Sequence, residues 1–301
     1  MKARFTFTAS FNVLIFFVLQ SCCLLPIKCE AQFVKGADIG WLQQMEATGY
    51  KFYNSDGVNE ECLQILKEKQ INTVRLRVWV NPSNDKTNGF CSKKEVAQMA
   101  VRARNMGMRV MIDFHYSDSW ADPSKQTKPA AWASHSFSQL LDDVYNHTYQ
   151  VLDTLKSLGV TPEWVQIGNE IARGMLWPEG KSSNWPQLSQ LLNKGYEAAR
   201  AVDQAIKVII HLESGNDNNL FRWFFDNAKN YQVQYDIIGM SYYPYWIGSD
   251  YTATIDNLGI NLNDMAARYG KDVMVVETGG EYNRVQNTFD MLQAVIRKVA
   301  D

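Results

Sequence analysis

The chain has 301 residues, a formal charge of −2, 46% hydrophobic and 21% charged side chains. That length holds one large domain or two small ones, and the composition supports a sizeable core and argues against extended disorder. There is no basic surplus to hold nucleic acid or an anionic membrane surface, so neither is expected as a partner.

The N-terminus reads as a targeting segment. Lys2 and Arg4 precede an apolar run over 11–19, and Cys29-Glu30-Ala31 forms a small-x-small cleavage site before Gln32. Residues 1–31 are therefore expected to be a signal peptide, and 32–301 the mature domain of a secreted or periplasmic protein. Too few apolar residues follow one another for a membrane span. The alternative is a lipoprotein signal, with Leu19-Gln20-Ser21 before Cys22. Cleavage near Ala31 leaves Cys62 and Cys91, read as two lone buried thiols, with a disulfide permitted by export.

After this segment, strand-like and helix-like stretches alternate. A short strand over 33–38 precedes a helical stripe over 60–70, with Cys62, Leu63, Ile65 and Leu66 on one face. A strand over 73–79 leads to a helix over 93–106 closed by Gly107, and a strand over 109–115 to a helix over 137–158 ended at Gly159. Further strands are expected over 164–167, 208–212, 237–242 and 273–277. The helices between and after them are expected over 188–202, 220–231, 262–269 and 285–299.

Seven β-then-α units in series imply a parallel sheet covered by helices. Polar residues at the strand C-termini favour a (β/α)8 TIM barrel over a doubly wound sheet. No glycine-rich phosphate fingerprint follows the first strand, and no cofactor is expected. The last helix should feed an eighth strand, but the sequence stops at Asp301, so the barrel reads as truncated before that strand.

Two strands deliver a glutamate at the same kind of position. Trp164-Val165-Gln166-Ile167 runs into Gly168-Asn169-Glu170, and Val273-Met274-Val275-Val276 runs into Glu277. A carboxylate at the end of a buried strand is costly unless paired or used. Two of them on one barrel face are what glycoside hydrolysis needs, one as acid/base and one as nucleophile. Glu170 must then hold a proton and Glu277 must stay ionised. A retaining pair should lie roughly 5 Å apart.

Other strand ends add Arg75 and Arg77, then Asp113, His115, Tyr116 and Asp118, then His211 and Glu213, then Tyr242, Tyr243, Tyr245 and Trp246. Arg75 and Arg77 are two apart and share one side of their strand, with Leu76 and Val78 turned to the helices. Glu277 is the expected partner of this arginine pair, which would lower its pKa. Asn169 is placed to hydrogen-bond a sugar 2-hydroxyl. Asp113, His115 and Asp118 invite a metal reading, but no His-x-x-x-His or cysteine pair supports it, so they read as a hydrogen-bonding lining. Trp120, Trp132, Trp177, Trp185 and Trp246 lie near Pro, Gly or Asn, where some are expected to stack on sugar faces. Asn146-His147-Thr148 fits a glycosylation sequon but lies in a helical pattern.

The stretches Gly36-Ala37-Asp38, Val74-Arg75-Leu76-Arg77-Val78-Trp79 and Asp113-Phe114-His115-Tyr116-Ser117-Asp118 form an ordered series with Trp120-Ala121-Asp122-Pro123 and Gln166-Ile167-Gly168-Asn169-Glu170. Gly174-Met175-Leu176-Trp177-Pro178, Ser241-Tyr242-Tyr243-Pro244-Tyr245-Trp246 and Val275-Val276-Glu277-Thr278 complete it. The series resembles the arabinogalactan endo-β-1,4-galactanases, glycoside hydrolase family 53. This family lies in the clan of retaining (β/α)8 hydrolases with catalytic glutamates after strands four and seven. The resemblance implies Glu170 as acid/base and Glu277 as nucleophile, with Arg77, His115, Asn169 and Tyr243 lining the subsite at the scissile bond. Asp38, Trp120, Trp246 and Glu213 are the remaining candidates for substrate contact.

Three departures accompany the resemblance. The family's His-Leu-Asp-Asn-Gly stands here as His211-Leu212-Glu213-Ser214-Gly215. The loop after Glu277 is short where some relatives carry a longer, calcium-binding one, so no metal is expected. The family's eighth strand, with its Trp-Glu-Pro stretch, is absent. The resemblance implies an endo-acting enzyme cutting β-1,4-galactan; with the N-terminal segment it reads as secreted, and a monomer is expected. The rival readings are a mannan- or glucan-cutting enzyme of the same clan, and a chain that binds galactan without turnover.

Overall fold

A computed structural model describes residues 33–83 and 90–300. The expected signal peptide and the alternative lipid-attachment residue Cys22 lie outside the described residues. From Val34 onward the chain forms one compact unit. The barrel strands are β1 (Gly36–Asp38), β4 (Thr73–Val78), β5 (Arg109–Phe114), β6 (Trp164–Ile167), β7 (Lys207–Leu212), β8 (Ile237–Tyr242) and β9 (Asp272–Thr278). They pair in that order, all parallel, in a seven-stranded sheet whose edges are β1 and β9. The covering helices are α3 (Lys93–Asn105), α4 (Phe137–Ser157), α5 (Trp185–Val202), α6 (Asn218–Asn230), α7 (Ile255–Tyr269) and α8 (Val285–Ala300).

The sheet is curled into a nearly closed barrel. In a flat sheet, β4 and β9 would lie about 24 Å apart, five strand spacings. Instead Arg75 on β4 reaches Glu277 on β9 at 2.6 Å. Side chains alternate as the pleat demands. Val74, Leu76, Val165, Ile167, Val208 and Ile210 face the helices in the main core. The inward positions Met111, Trp164, Ile209 and Ile237 form a separate apolar cluster with Val34, Met274 and Val276. That cluster floors the barrel, and the polar layer above it carries the site.

Helices α3 and α4 open as their sequences ask, each with a capping box, Ser92 with Glu95 and Ser136 with Gln139. Among the smaller elements that sequence patterning misses are α1 (Leu42–Ala47) and the two-stranded pair β2 (Phe52–Tyr53) and β3 (Asn59–Glu60), which precede α2 (Cys62–Glu68). It also starts α7 seven residues late. Gly259, Asn261 and Asn263 are weak helix formers, but Ile255, Leu258 and Leu262 are buried, and that packing outweighs local propensity.

Candidate active site

The site is organised around Arg75, which is buried and points up the barrel axis. Its Nη1 donates to Asp38 Oδ2 at 2.7 Å and its Nε to Gln166 Oε1 at 2.6 Å. Its Nη2 faces Asp113 Oδ2 at 2.9 Å, Asn169 Oδ1 at 3.0 Å and Glu277 Oε1 at 2.6 Å. One guanidinium thus gathers five groups from four strands or their ends. Burial alone would weaken its charge, but Asp113, Glu277 and Asp38 restore it and keep it protonated. Burial would likewise raise the Asp113 carboxyl, yet Arg75 and His115 hold it below the usual carboxylate value.

Glu277 reaches the interior through a β-bulge. Met240 pairs with Val275 and Ser241 with Glu277, so Val276 has no partner across β8. Val276 packs into the inner apolar cluster and the next residue, Glu277, also points inward. Strict alternation would have sent Glu277 to the helix layer; the extra residue re-aims it. Its Oε2 accepts from the Tyr243 hydroxyl at 3.2 Å. Burial pushes the Glu277 carboxyl up and Asp113 and Asp38 repel it, while Arg75 pulls it down; the net direction is upward.

Glu170 follows Gly168, whose φ of +86° is left-handed, and itself has φ +50°. A Cβ at Gly168 would lie 2.6 Å from Ile171 Cγ2, so only glycine fits there. This left-handed turn at the end of β6 is strained for a glutamate and is held by its neighbours. The Glu170 N–H donates to His211 Nδ1 at 3.4 Å, and the Ile171 N–H to His211 O at 3.0 Å. Burial, then repulsion from Glu277, pushes the Glu170 carboxyl up to about 8, opposed by the neighbouring Ser241 hydroxyl. Glu213 adds a smaller repulsion and accepts the Ala172 N–H at 3.3 Å.

The arrangement therefore separates two carboxyls by environment. Both are raised by burial, and Glu170 is further disfavoured as an anion by Glu277. Glu277 alone has a cation in contact, which favours the charge there and the proton on Glu170. Among the described residues no group of three or more His, Cys, Asp or Glu side chains is arranged to hold a metal ion.

The family model described as glycosyl hydrolase family 53 matches residues 34–299. The chain belongs to that family. It is 37% identical over 262 residues to the probable arabinogalactan endo-beta-1,4-galactanase A of Aspergillus terreus, covering 85% of this chain and 73% of that one. It is 36% identical over 251 residues to the arabinogalactan endo-beta-1,4-galactanase of Humicola insolens, covering 81% and 73%. A solved structure from a study of two fungal beta-1,4-galactanases superposes with a TM-score of 0.81 at 32% identity, over 89% of this chain and 85% of that one.

Within this family 53 barrel, several sequence expectations take a different shape. Glu277 meets Arg75, not Arg77. Arg77 is 1% exposed and lies beneath three tryptophans, its guanidinium 4.2 Å from the Trp120 ring, 4.8 Å from Trp41 and 5.4 Å from Trp79. Its Nη2 donates to Gly40 O at 3.1 Å, and a Cβ at Gly40 would overlap the guanidinium. Arg77 thus supports the site's aromatic wall from below. Trp41 and Trp120, ring centroids 5.8 Å apart, form the exposed part of that wall.

His115 accepts the Ala121 N–H through Nδ1 at 2.9 Å, which places its hydrogen on Nε2. Nε2 lies 2.8 Å from Asp113 Oδ2 but off the line of a good hydrogen bond. Asp118 accepts from Asn81 and Ala130 backbone amides and ties loops together. Asn169 is committed on both sides, its Oδ1 to Arg75 and its Nδ2 to Ala121 O at 2.8 Å, leaving one amide hydrogen for a ligand.

Two of the five loop tryptophans are core. Trp132 is buried, and Trp185 begins α5, packed on Phe224 and Tyr231. Trp177 donates to Arg173 O and is half-buried. Trp246 is exposed beside Tyr245, next to a cavity of about 420 Å³ between the loops after β8 and β9. Cys62 and Cys91 are free, Cys91 buried and Cys62 half-buried.

Sequence reasoning assigned nothing to Gln166, Ser241 and Trp41. The signal for Gln166 was legible, a polar residue at the inward position of an otherwise apolar strand. Ser241 and Trp41 acquire their neighbours only through the bulge and the curl of the sheet.

Proposed function

We propose that this chain is a secreted, endo-acting β-1,4-galactanase working by a retaining two-glutamate mechanism, with residues 32–301 as its catalytic domain. The observation that carries the mechanism is the asymmetric pair, Glu277 in contact with Arg75 and Glu170 raised by burial and by Glu277 itself. The substrate follows from the galactanase relatives.

In the first step Glu277 attacks the anomeric carbon and the glycosidic C–O bond breaks. The leaving oxygen takes the Glu170 proton. In the second step Glu170, now a carboxylate, removes a proton from water, which displaces Glu277 and restores both groups. Arg75 and Tyr243 occupy the two Glu277 oxygens and hold the attacking carboxylate in place. The Trp41–Trp120 wall supplies an apolar face for a galactosyl ring.

The test is sugar release by the 32–301 protein from β-1,4-galactan, with β-mannan and β-glucan in parallel, followed by proton NMR of the first product anomer. Cutting of galactan alone with the β-anomer formed first is expected. Release from mannan or glucan instead, or an α-anomer first, overturns the substrate or the retaining mechanism respectively.

A further inference from the structure

One chain of buried contacts takes no part in the bond-making and bond-breaking steps. Strands β6, β7 and β8 are consecutive in the sheet and bring Glu170, His211 and Ser241 together at their C-terminal ends. His211 and Ser241 are 0% and 1% exposed, so water does not compete for their polar atoms. His211 Nδ1 accepts the Glu170 N–H, which leaves the ring hydrogen on Nε2. Nε2 lies 2.7 Å from Ser241 Oγ and therefore donates to it. Burial, then Arg75, keeps this imidazole neutral, with Asp113 and His115 as its other titratable neighbours. An oxygen that receives a hydrogen bond from His211 has its own hydrogen left to give, and the Glu170 carboxyl is a neighbouring group able to accept it.

We propose that His211 and Ser241 are positioning residues for the acid/base, a directional hydrogen-bond chain that keeps a donor aimed at the Glu170 carboxyl through both half-reactions. The inference rests on the two-glutamate reading above. When Glu170 gives its proton to the leaving oxygen, the developing carboxylate already faces a donor. When it later takes a proton from water, the same donor holds its orientation. The other groups facing Glu170 act by charge alone: Glu277 from β9, Glu213 after β7 and Arg75 from β4. Ser241 is the neighbour that also fixes direction. The bulge that turns Glu277 inward sets Ser241 opposite it, so one irregularity serves both catalytic carboxyls.

The experiment measures kcat/KM on β-1,4-galactan against pH for the 32–301 protein and its Ser241→Ala, Ser241→Cys and His211→Phe variants. The basic limb reports Glu170 in the free enzyme. Loss of a donor to the carboxylate raises its pKa, so Ser241→Ala is expected to move that limb upward by about one pH unit. It should lower kcat about tenfold with KM within about twofold. Ser241→Cys, a weaker donor of similar size, should fall between it and wild type. His211→Phe should shift the limb in the same direction, and adding it to Ser241→Ala should shift it no further, as for two links of one chain.

A basic limb unmoved or moved down in Ser241→Ala overturns the inference even if activity falls, because a purely structural role lowers rate without moving the limb. Additive shifts in the double variant overturn the role of His211. Full activity of Glu170→Ala on galactan, by contrast, overturns the two-glutamate reading itself.

Discussion

Replacing Arg75 by Met tests the electrostatic centre of the site. The side chain keeps most of its apolar length but strips the cation from Asp38, Asp113 and Glu277, and the donors from Gln166 and Asn169. Removing one partner of a buried ion pair costs about 3–5 kcal/mol, because the other charge is left buried and unpaired. We expect a loss of about 4 kcal/mol at pH 7, or roughly 8–16 °C in Tm for a domain of this size. The sign of the pH dependence follows from Asp113. Its folded pKa is lowered, so it contributes stability that is present above its unfolded value and lost as pH falls below it. In the variant, Asp113 and Glu277 both lose the cation that favoured their ionised forms, and protonation relieves them. The gap between wild type and variant should therefore be larger at pH 7 than at pH 3.5, shrinking as pH falls through the raised carboxyl range of the variant. Urea unfolding at pH 3.5, 5 and 7 measures it. A gap under 1 kcal/mol at pH 7, or one of equal size at all three values, would refute the claim that Arg75 holds these carboxylates.

Glu170→Gln should abolish release of sugar from galactan yet stabilise the fold at alkaline pH. The folded carboxyl is raised to about 8, so in wild type its contribution is full below the unfolded value near 4.5 and is lost as pH rises toward 8. The variant should lack this decline and be more stable by about 2 kcal/mol at pH 8, read by thermal unfolding; parallel curves would contradict the assignment. Trp120→Ala removes the exposed ring over Arg77 and should raise KM on galactan about tenfold with kcat nearly unchanged. An unchanged KM would remove Trp120 from the substrate wall.

Much of this protein is legible in one dimension. Alternating apolar runs and capped amphipathic stretches mark the β-then-α series, because strand and helix periods are local properties of the chain. The two glutamates stand out because each closes an apolar strand where a charge is costly. Arg75 and Arg77 were placed on one face by their spacing, and both do point inward. Their division of labour was not legible. It depends on height in the barrel: one residue pair along β4 separates the level of Glu277 from the level of the tryptophans.

The loop tryptophans show the same limit, since Trp185 reads as a loop residue beside Pro186 but is drawn into α5 by Phe224 and Tyr231. The sequence by itself determined the order of the elements, the parallel sheet and the chemical character of the two strand ends. Only the tertiary structure decided which arginine meets Glu277, that Val276 bulges to turn Glu277 inward, and that Ser241 and His211 stand against Glu170. Those outcomes rest on contacts between residues far apart in the chain. Their energies come from burial and charge at a few ångströms, which no local pattern encodes.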